Sequence, residues 1–242
     1  MTFSIAARCV RSGMFGIAIS SSSPAVAARC AWVKAEVGAA CSQNITDPRL
    51  GPALLNLMAS GATAKEALAT TVTAAEAIDF RQLTAIDAAG GTAAFSGVKT
   101  LGTYATVEGT NAVAAGNLLS TSDVPAAMIA AFAAVPEDYL GDRLIAVLKA
   151  ALAAGGEAGP VHSAGLLVVA DVPWPVVDLR VDWSDDPIGD LERLWRLWRP
   201  QMHDYVTRAL NPLAAPGYGV PGDLGDADPA RDAGTKRAAG NS

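Results

Sequence analysis

Histidine is almost missing from this sequence: His162 and His203 are the only two in 242 residues. A histidine-dependent serine triad would have to use one of them, and nothing near either has the spacing of metal ligands. Cysteine is scarce too. Cys9, Cys30 and Cys41 are odd in number and show no paired spacing, which fits small core thiols in a reducing, intracellular compartment. No apolar run approaches the ~20 residues of a membrane helix. The formal charge of −6 comes without a long basic run, so neither nucleic acid nor an anionic membrane is indicated as a partner. Ala25-Val26-Ala27 has the look of a signal-peptide cleavage site, but Arg8, Arg11 and Gly13 interrupt the apolar segment that should precede it. Phosphate-binding and dinucleotide glycine motifs and a Gly-x-Ser-x-Gly elbow are missing from suitable contexts. These absences lead to the expectation of a soluble, cytoplasmic protein without cofactor or metal.

What the chain does have is small apolar residues. Half the composition is hydrophobic with only 6% aromatic, so the core is built from small side chains and close backbone approaches. Residues 2–9 and 15–20 alternate as two half-buried strands around Arg11-Ser12-Gly13-Met14, and 32–42 reads as a third extended stretch. Asp47-Pro48 predicts an N-cap and first helical proline, with the helix closing at Gly61. Thr63 with Glu66 predicts a capping box for a second helix to about Ala77. A hairpin follows at 81–87 and 92–96, then a short strand at 112–115. Helices are expected from Ser122 to about Ala134 and from Tyr139 to Ala154, the latter stopped by Gly155-Gly156. Strands at 163–170 and 176–181 and a helix at 187–199 complete the periodic part, with a polar helix near 203–210.

Strands and helix pairs come in runs rather than strict alternation, which predicts an α+β protein of two antiparallel sheets with helices outside each. Residues 1–212 are expected to form one domain. Residues 213–242, rich in glycine, proline, alanine and aspartate without periodicity, are expected to be a disordered tail.

Candidate chemistry gathers at strand ends. Thr2 follows the first methionine, and removal of Met1 would leave a threonine whose own α-amine, with an ordinary pKa of about 7.7–8, can act as its base. The same dipeptide also starts many chains with no such role. Ser42-Gln43-Asn44, Arg81-Gln82, Asn117, Glu157 and Ser163 are hydrogen-bonding residues interrupting apolar stretches. Each fits a cap or turn; as a set they fit a site for a small polar substrate and an oxyanion. Lys34 reads as a solvated lysine, and Arg180 as a partner for a carboxylate.

Met1-Thr2-Phe3-Ser4-Ile5-Ala6-Ala7-Arg8, Trp32 with Gly38 through Gln43, Arg81-Gln82, Gly116-Asn117-Leu118-Leu119, Gly155-Gly156 with Ser163-Ala164, and Asp178 through Asp182 resemble, in order and spacing, a bacterial family of uncharacterised proteins. That family is assigned to the N-terminal-nucleophile hydrolase superfamily. The resemblance spans about residues 1–198 and implies a four-layer αββα fold with its nucleophile at Thr2. Ser42 stands where the family usually has threonine, and Glu157 where an aspartate usually follows the glycine pair. Gly159 through His162 replaces a more basic stretch, which bears on specificity.

Two readings of function result. One is an amidohydrolase acting on a small amide or related C–N bond, with Thr2 and Asn117 catalytic and Ser42, Gln43, Asn44, Arg81, Glu157 and Ser163 holding the substrate. The other is a non-catalytic small-molecule binding or assembly protein that keeps the fold. Either leaves homo-oligomer formation open.

Overall fold

The strand alternation at the start of the chain becomes β1 (Thr2–Arg8), answered by β2 (Phe15–Ser21). A single helical turn, α1 (Ala27–Cys30), leads into β3 (Ala31–Lys34) and β4 (Gly38–Asn44). Helices α2 (Leu50–Ala59) and α3 (Ala64–Ala74) follow, then β5 (Arg81–Asp87) and β6 (Thr92–Ser96). Next come β7 (Ala105–Gly109), β8 (Ala112–Asn117), α4 (Val124–Ala134) and α5 (Leu140–Ala153). β9 (Ser163–Val169), β10 (Pro175–Val181) and α6 (Pro187–Trp198) complete a unit that ends at Arg199. A second unit starts at Pro200 and carries α7 (Met202–Leu210). This is a computed structural model, and it describes residues 1–221 and Asp223. The expected tail at 213–242 therefore falls mostly outside the described residues.

Two sheets result, in the orders β10-β9-β2-β1-β8-β7 and β3-β4-β5-β6, with every neighbouring pair antiparallel. Helices α4 and α5 cover the outer face of the six-stranded sheet, and α2 and α3 the outer face of the four-stranded one. The inner faces pack on each other through Ala6, Ile17, Ile19, Ala39, Cys41, Ile86 and Val113. The layers are thus helix, sheet, sheet, helix, the expected αββα sandwich.

β1 lies at the centre of this arrangement, and both of its faces are covered. Phe3 and Ile5 point to the helical layer, while Ser4 and Ala6 point between the sheets, so Thr2 through Ala7 are all buried. The expectation of a half-buried strand is corrected accordingly: Ser4 is polar but inward, because the other sheet supplies its hydrogen-bond partner. Each large apolar side chain buried here contributes about 1.5–3 kcal/mol relative to exposure.

Three other expectations change. The stretch 32–42 is a hairpin rather than one strand: β3 turns back through Glu36, at φ +62°, into β4 at Gly38. A Cβ on Gly38 would lie 2.1 Å from the Ile86 carbonyl oxygen, so only glycine lets β4 approach β5 there. β7 carries Ala-Thr-Val-Glu-Gly, a half-exposed edge sequence without alternation, and it is held by pairing to β8 rather than by its own pattern. Asp47 does not cap the helix as expected. Its carboxylate accepts from the Arg49 backbone and guanidinium, which hold its pKa down at about 2, and α2 starts later at Leu50. The capping box of Thr63 and Glu66 is present, and α3 ends at Ala74 rather than near Ala77.

Candidate active site

Along the layer between the sheets, the lining switches from hydrocarbon to hydrogen-bonding groups. Around Ile17, Ala39 and Val113 it is wholly apolar. Further along the same inward faces come Thr2 and Ser4 on β1, Ser21 on β2, Gln43 on β4, Gln82 on β5, Asn117 on β8 and Ser163 on β9, all buried. Strand register brings them together. Thr2 lies opposite Asn117, Gln43 opposite Gln82, and Ser21 opposite Ser163.

The glutamines join the two sheets through one directed chain of hydrogen bonds. Gln82 Nε2 donates to the Gly116 carbonyl at 3.0 Å and to Ser96 Oγ at 3.0 Å. A backbone carbonyl can only accept, so this contact fixes which end of the Gln82 amide is nitrogen. Gln82 Oε1 then accepts from Gln43 Nε2 at 2.7 Å and from Asn117 Nδ2 at 3.0 Å. Gln43 Oε1 in turn accepts from Ser4 Oγ at 2.7 Å. The same chain fixes Asn117, whose Oδ1 is left buried with no partner among the described residues. A buried unpaired carbonyl costs about 1–3 kcal/mol, and this one belongs to the residue opposite Thr2.

Thr2 itself is 4% exposed. Its hydroxyl lies 3.4 Å from Ser21 Oγ, and both hydroxyls donate to the Met1 carbonyl. Ser21 Oγ also shares a hydrogen bond with Ser23 Oγ at 2.8 Å and accepts from the Ser23 amide at 3.1 Å. Ser163 Oγ donates to the Ser23 carbonyl at 2.6 Å and braces this loop from beneath. Glu157 closes it from the side, its carboxylate accepting from the Ser22 amide at 3.1 and 3.2 Å. Burial drives the Glu157 pKa up to about 7; the Ser22 hydrogen bonds and the nearby α-ammonium of the chain oppose that rise only in part.

Of the residues expected at the site, the structure gathers Thr2, Asn117, Gln43, Ser163 and Glu157. It leaves three out. Ser42 points to the opposite face of β4, where its hydroxyl donates to the Asp47 carbonyl at 2.8 Å. Asn44, at φ +72°, ends the strand by donating to the Phe80 carbonyl and accepting from the Leu101 amide. Arg81, in register with Asn44, reaches back to the Ile45 carbonyl. Of the other polar residues, Lys34 is exposed, and His162 stacks on Trp183 with ring centroids 4.4 Å apart. Arg180 pairs with Asp178 two residues before it.

Ser4 and Ser21 were not anticipated, and Gln82, noted beside Arg81 in the polar set, was not among the residues expected to hold the substrate. Their signal was strand parity: Gln82 shares the inward face with Ile86, Ser4 with Ala6, and Ser21 with Ile17 and Ile19.

A four-layer sandwich whose central strand starts in a buried polar cluster is thus the class of protein this chain represents. Residues 2–191 match a family of unknown function, DUF1028, and the chain belongs to that family. The crystal structure of protein SPO2555 from Silicibacter pomeroyi, also assigned to DUF1028, is similar at 30% identity and a TM-score of 0.77. That match covers 84% of this chain and 89% of the other. Anbu (ancestral beta-subunit) from Yersinia bercovieri aligns at 11% identity and a TM-score of 0.38, over 84% of this chain and 97% of that one, too distant to carry an argument. No curated protein matches the sequence.

Proposed function

We propose that this protein is an N-terminal-nucleophile hydrolase that cleaves a small amide or related C–N bond after loss of Met1. The observation that carries this reading is the position of Thr2, a buried hydroxyl at the start of the central strand, surrounded by oriented hydrogen-bonding groups. The resemblance to N-terminal-nucleophile hydrolases points the same way.

In this reading Thr2 Oγ1 attacks the substrate carbonyl carbon while the Thr2 α-amine accepts the hydroxyl proton. The tetrahedral intermediate collapses as that proton passes to the leaving nitrogen, and water then hydrolyses the ester formed on Thr2 by the same route in reverse. Ser21 Oγ donates to the Met1 carbonyl beside Thr2, so once Met1 is gone the same hydroxyl faces a substrate oxygen. Loss of one such donor typically costs ~2.7–4 kcal/mol in the barrier. Asn117 fits a different part from the oxyanion donor first expected. Its Nδ2 is engaged by Gln82, and its unpaired Oδ1 is an acceptor suited to the new α-amine or to a donor on the substrate. Glu157, with a pKa near neutrality beside the chain start, is the second group able to exchange a proton there.

The test is the mass of the mature chain together with turnover on a panel of small amides and ureido compounds. A threonine-first chain should turn over a member of the panel, Thr2→Ser should retain part of the rate, and Thr2→Ala should lose it while still folding. Turnover by a chain that keeps Met1, or by Thr2→Ala, defeats the nucleophile assignment. A retained Met1 without turnover favours the non-catalytic reading, since the Met1 carbonyl then permanently satisfies both hydroxyls.

A further inference from the structure

At the far end of β1, roughly 20 Å from Thr2 at ~3.3 Å per residue, a cavity of about 350 Å³ opens beside Cys9. Its walls come from the end of β1, the turn between β7 and β8, and the connection from α4 to α5. Its lining is in part apolar, from Val10, Phe132, Ala133 and Pro136. The rest includes Arg8, Arg11 and Arg143 with a single carboxylate, Glu137.

Arg143 is the anomaly. It is 6% exposed, and no carboxylate among the described residues pairs with it. Its Nη2 donates to the Phe132 carbonyl at 2.7 Å, its guanidinium stacks 3.6 Å over the Phe132 ring, and its Nε has no partner. One neutral acceptor and one ring do not replace the hydration of a buried charge. Desolvation accordingly lowers the Arg143 pKa, although a guanidinium stays charged. Arg8 is also short of partners, with a contact of 3.4 Å to Asn111 Oδ1 and no ion pair among the described residues. Glu137 is already engaged, because Arg11 binds both its carboxylate, at 2.6 Å, and its backbone carbonyl, at 2.5 Å. Both residues of that exposed ion pair line the cavity.

We propose that this cavity binds a small organic anion, with its acidic end on Arg143 and its short apolar body against Phe132, Ala133 and Pro136. The site is separate from the Thr2 cluster and does not depend on any activity there. Its volume is within the usual range for small-ligand pockets, and a planar guanidinium suits a carboxylate better than it suits a lone carbonyl.

The test titrates the full chain with benzoate and butyrate, and with inorganic phosphate and chloride at matched ionic strength, following the melting midpoint. Saturation with benzoate or butyrate should raise the midpoint by about 5–10 °C at a hundredfold excess over Kd, with chloride and phosphate giving less. Arg143→Met should weaken that binding about tenfold or more. The proposal falls if neither organic anion gives a saturable rise, if Arg143→Met responds as strongly, or if phosphate matches them. A variant-free measurement accompanies it. All three cysteines are buried, but Cys9, at 4% exposure, lines the cavity whereas Cys30 and Cys41 lie between the sheets. Benzoate should therefore slow whatever iodoacetamide labelling Cys9 undergoes and leave that of the other two unchanged. Unchanged Cys9 labelling at saturating benzoate also overturns the site.

Discussion

The apolar end of the inter-sheet layer, around Ile17 and Val113, and its polar end, around Thr2 and Gln82, are made by the same strands a few residues apart. At the apolar end Ala6, Ile17, Cys41 and Ile86 meet without directional bonds, and burial pushes the Cys41 thiol pKa up to about 12, which keeps it inert. At the polar end the Gly116 carbonyl sets the direction of three amides and one hydroxyl in sequence. The first end holds the sheets together and tolerates exchange of similar volumes; the second fixes orientation and is vulnerable to the loss of any member. The second leaves Asn117 Oδ1 without a partner among the described residues, as is Thr84 Oγ1, which lies between the two ends on β5 opposite Cys41.

Truncation at the apolar end should have the largest effect on stability. Ile17→Ala leaves a cavity at a fully buried site and should cost about 2–5 kcal/mol, read as a lower denaturant midpoint with an unchanged m-value. If the loss stays under about 1 kcal/mol, the two sheets are not held together by this cluster. Gln82→Leu at the polar end should cost about 2–4 kcal/mol, since it strips partners from Gln43, Asn117 and the Gly116 carbonyl at once. A double-mutant cycle with Gln43→Leu should then show coupling of about 1 kcal/mol or more, whereas additive losses would mean that the amides act independently.

Glu157 sharpens the contrast through pH. Its folded pKa of about 7 lies above the ordinary value of about 4.5, so between these the native state holds a proton that the unfolded state has released. Stability should therefore fall as pH rises from about 4.5 to about 7 and level off above, by at most about 3 kcal/mol. Glu157→Gln should flatten that slope in urea titrations across the window, and an unchanged slope would assign it to other groups. The smallest effect belongs to Ser42→Ala. It removes one buried hydrogen bond, should cost about 1 kcal/mol, and should leave any chemistry at Thr2 intact because the side chain faces α2 rather than the gap.

Much of the fold could be read from periodicity and caps. The box of Thr63 and Glu66, the stop at Gly155-Gly156 and the alternation at 163–169 are local signals, and each becomes the expected element. β7 and the turn at Glu36 were not legible, because one depends on pairing with β8 and the other on a close approach between β4 and β5. The site shows the same division. Thr2, Asn117, Gln43, Glu157 and Ser163 come together because strand ends meet at one end of the layer. Ser42, Asn44 and Arg81 were indistinguishable from them in type and position; they differ only in which face of the strand they occupy, or in serving a turn. Arg81 rather than its neighbour Gln82 was expected at the site because parity decides between neighbours only once the strand's covered face is known.

The central placement of β1 also has a consequence for how this chain is made. The strand is synthesised more than a hundred residues before β8, which completes its pairing on one side. At ~5–20 residues per second, about 6–20 seconds pass in which Phe3, Ile5 and Ile17 can pair only within the β1–β2 hairpin, leaving an apolar edge open at the ribosome. The residues that end deepest in the finished sheet are thus exposed longest during its synthesis. Slowing translation between 21 and 163 should increase aggregation of this chain more than slowing it after 169, where β9 has closed the other edge of the hairpin.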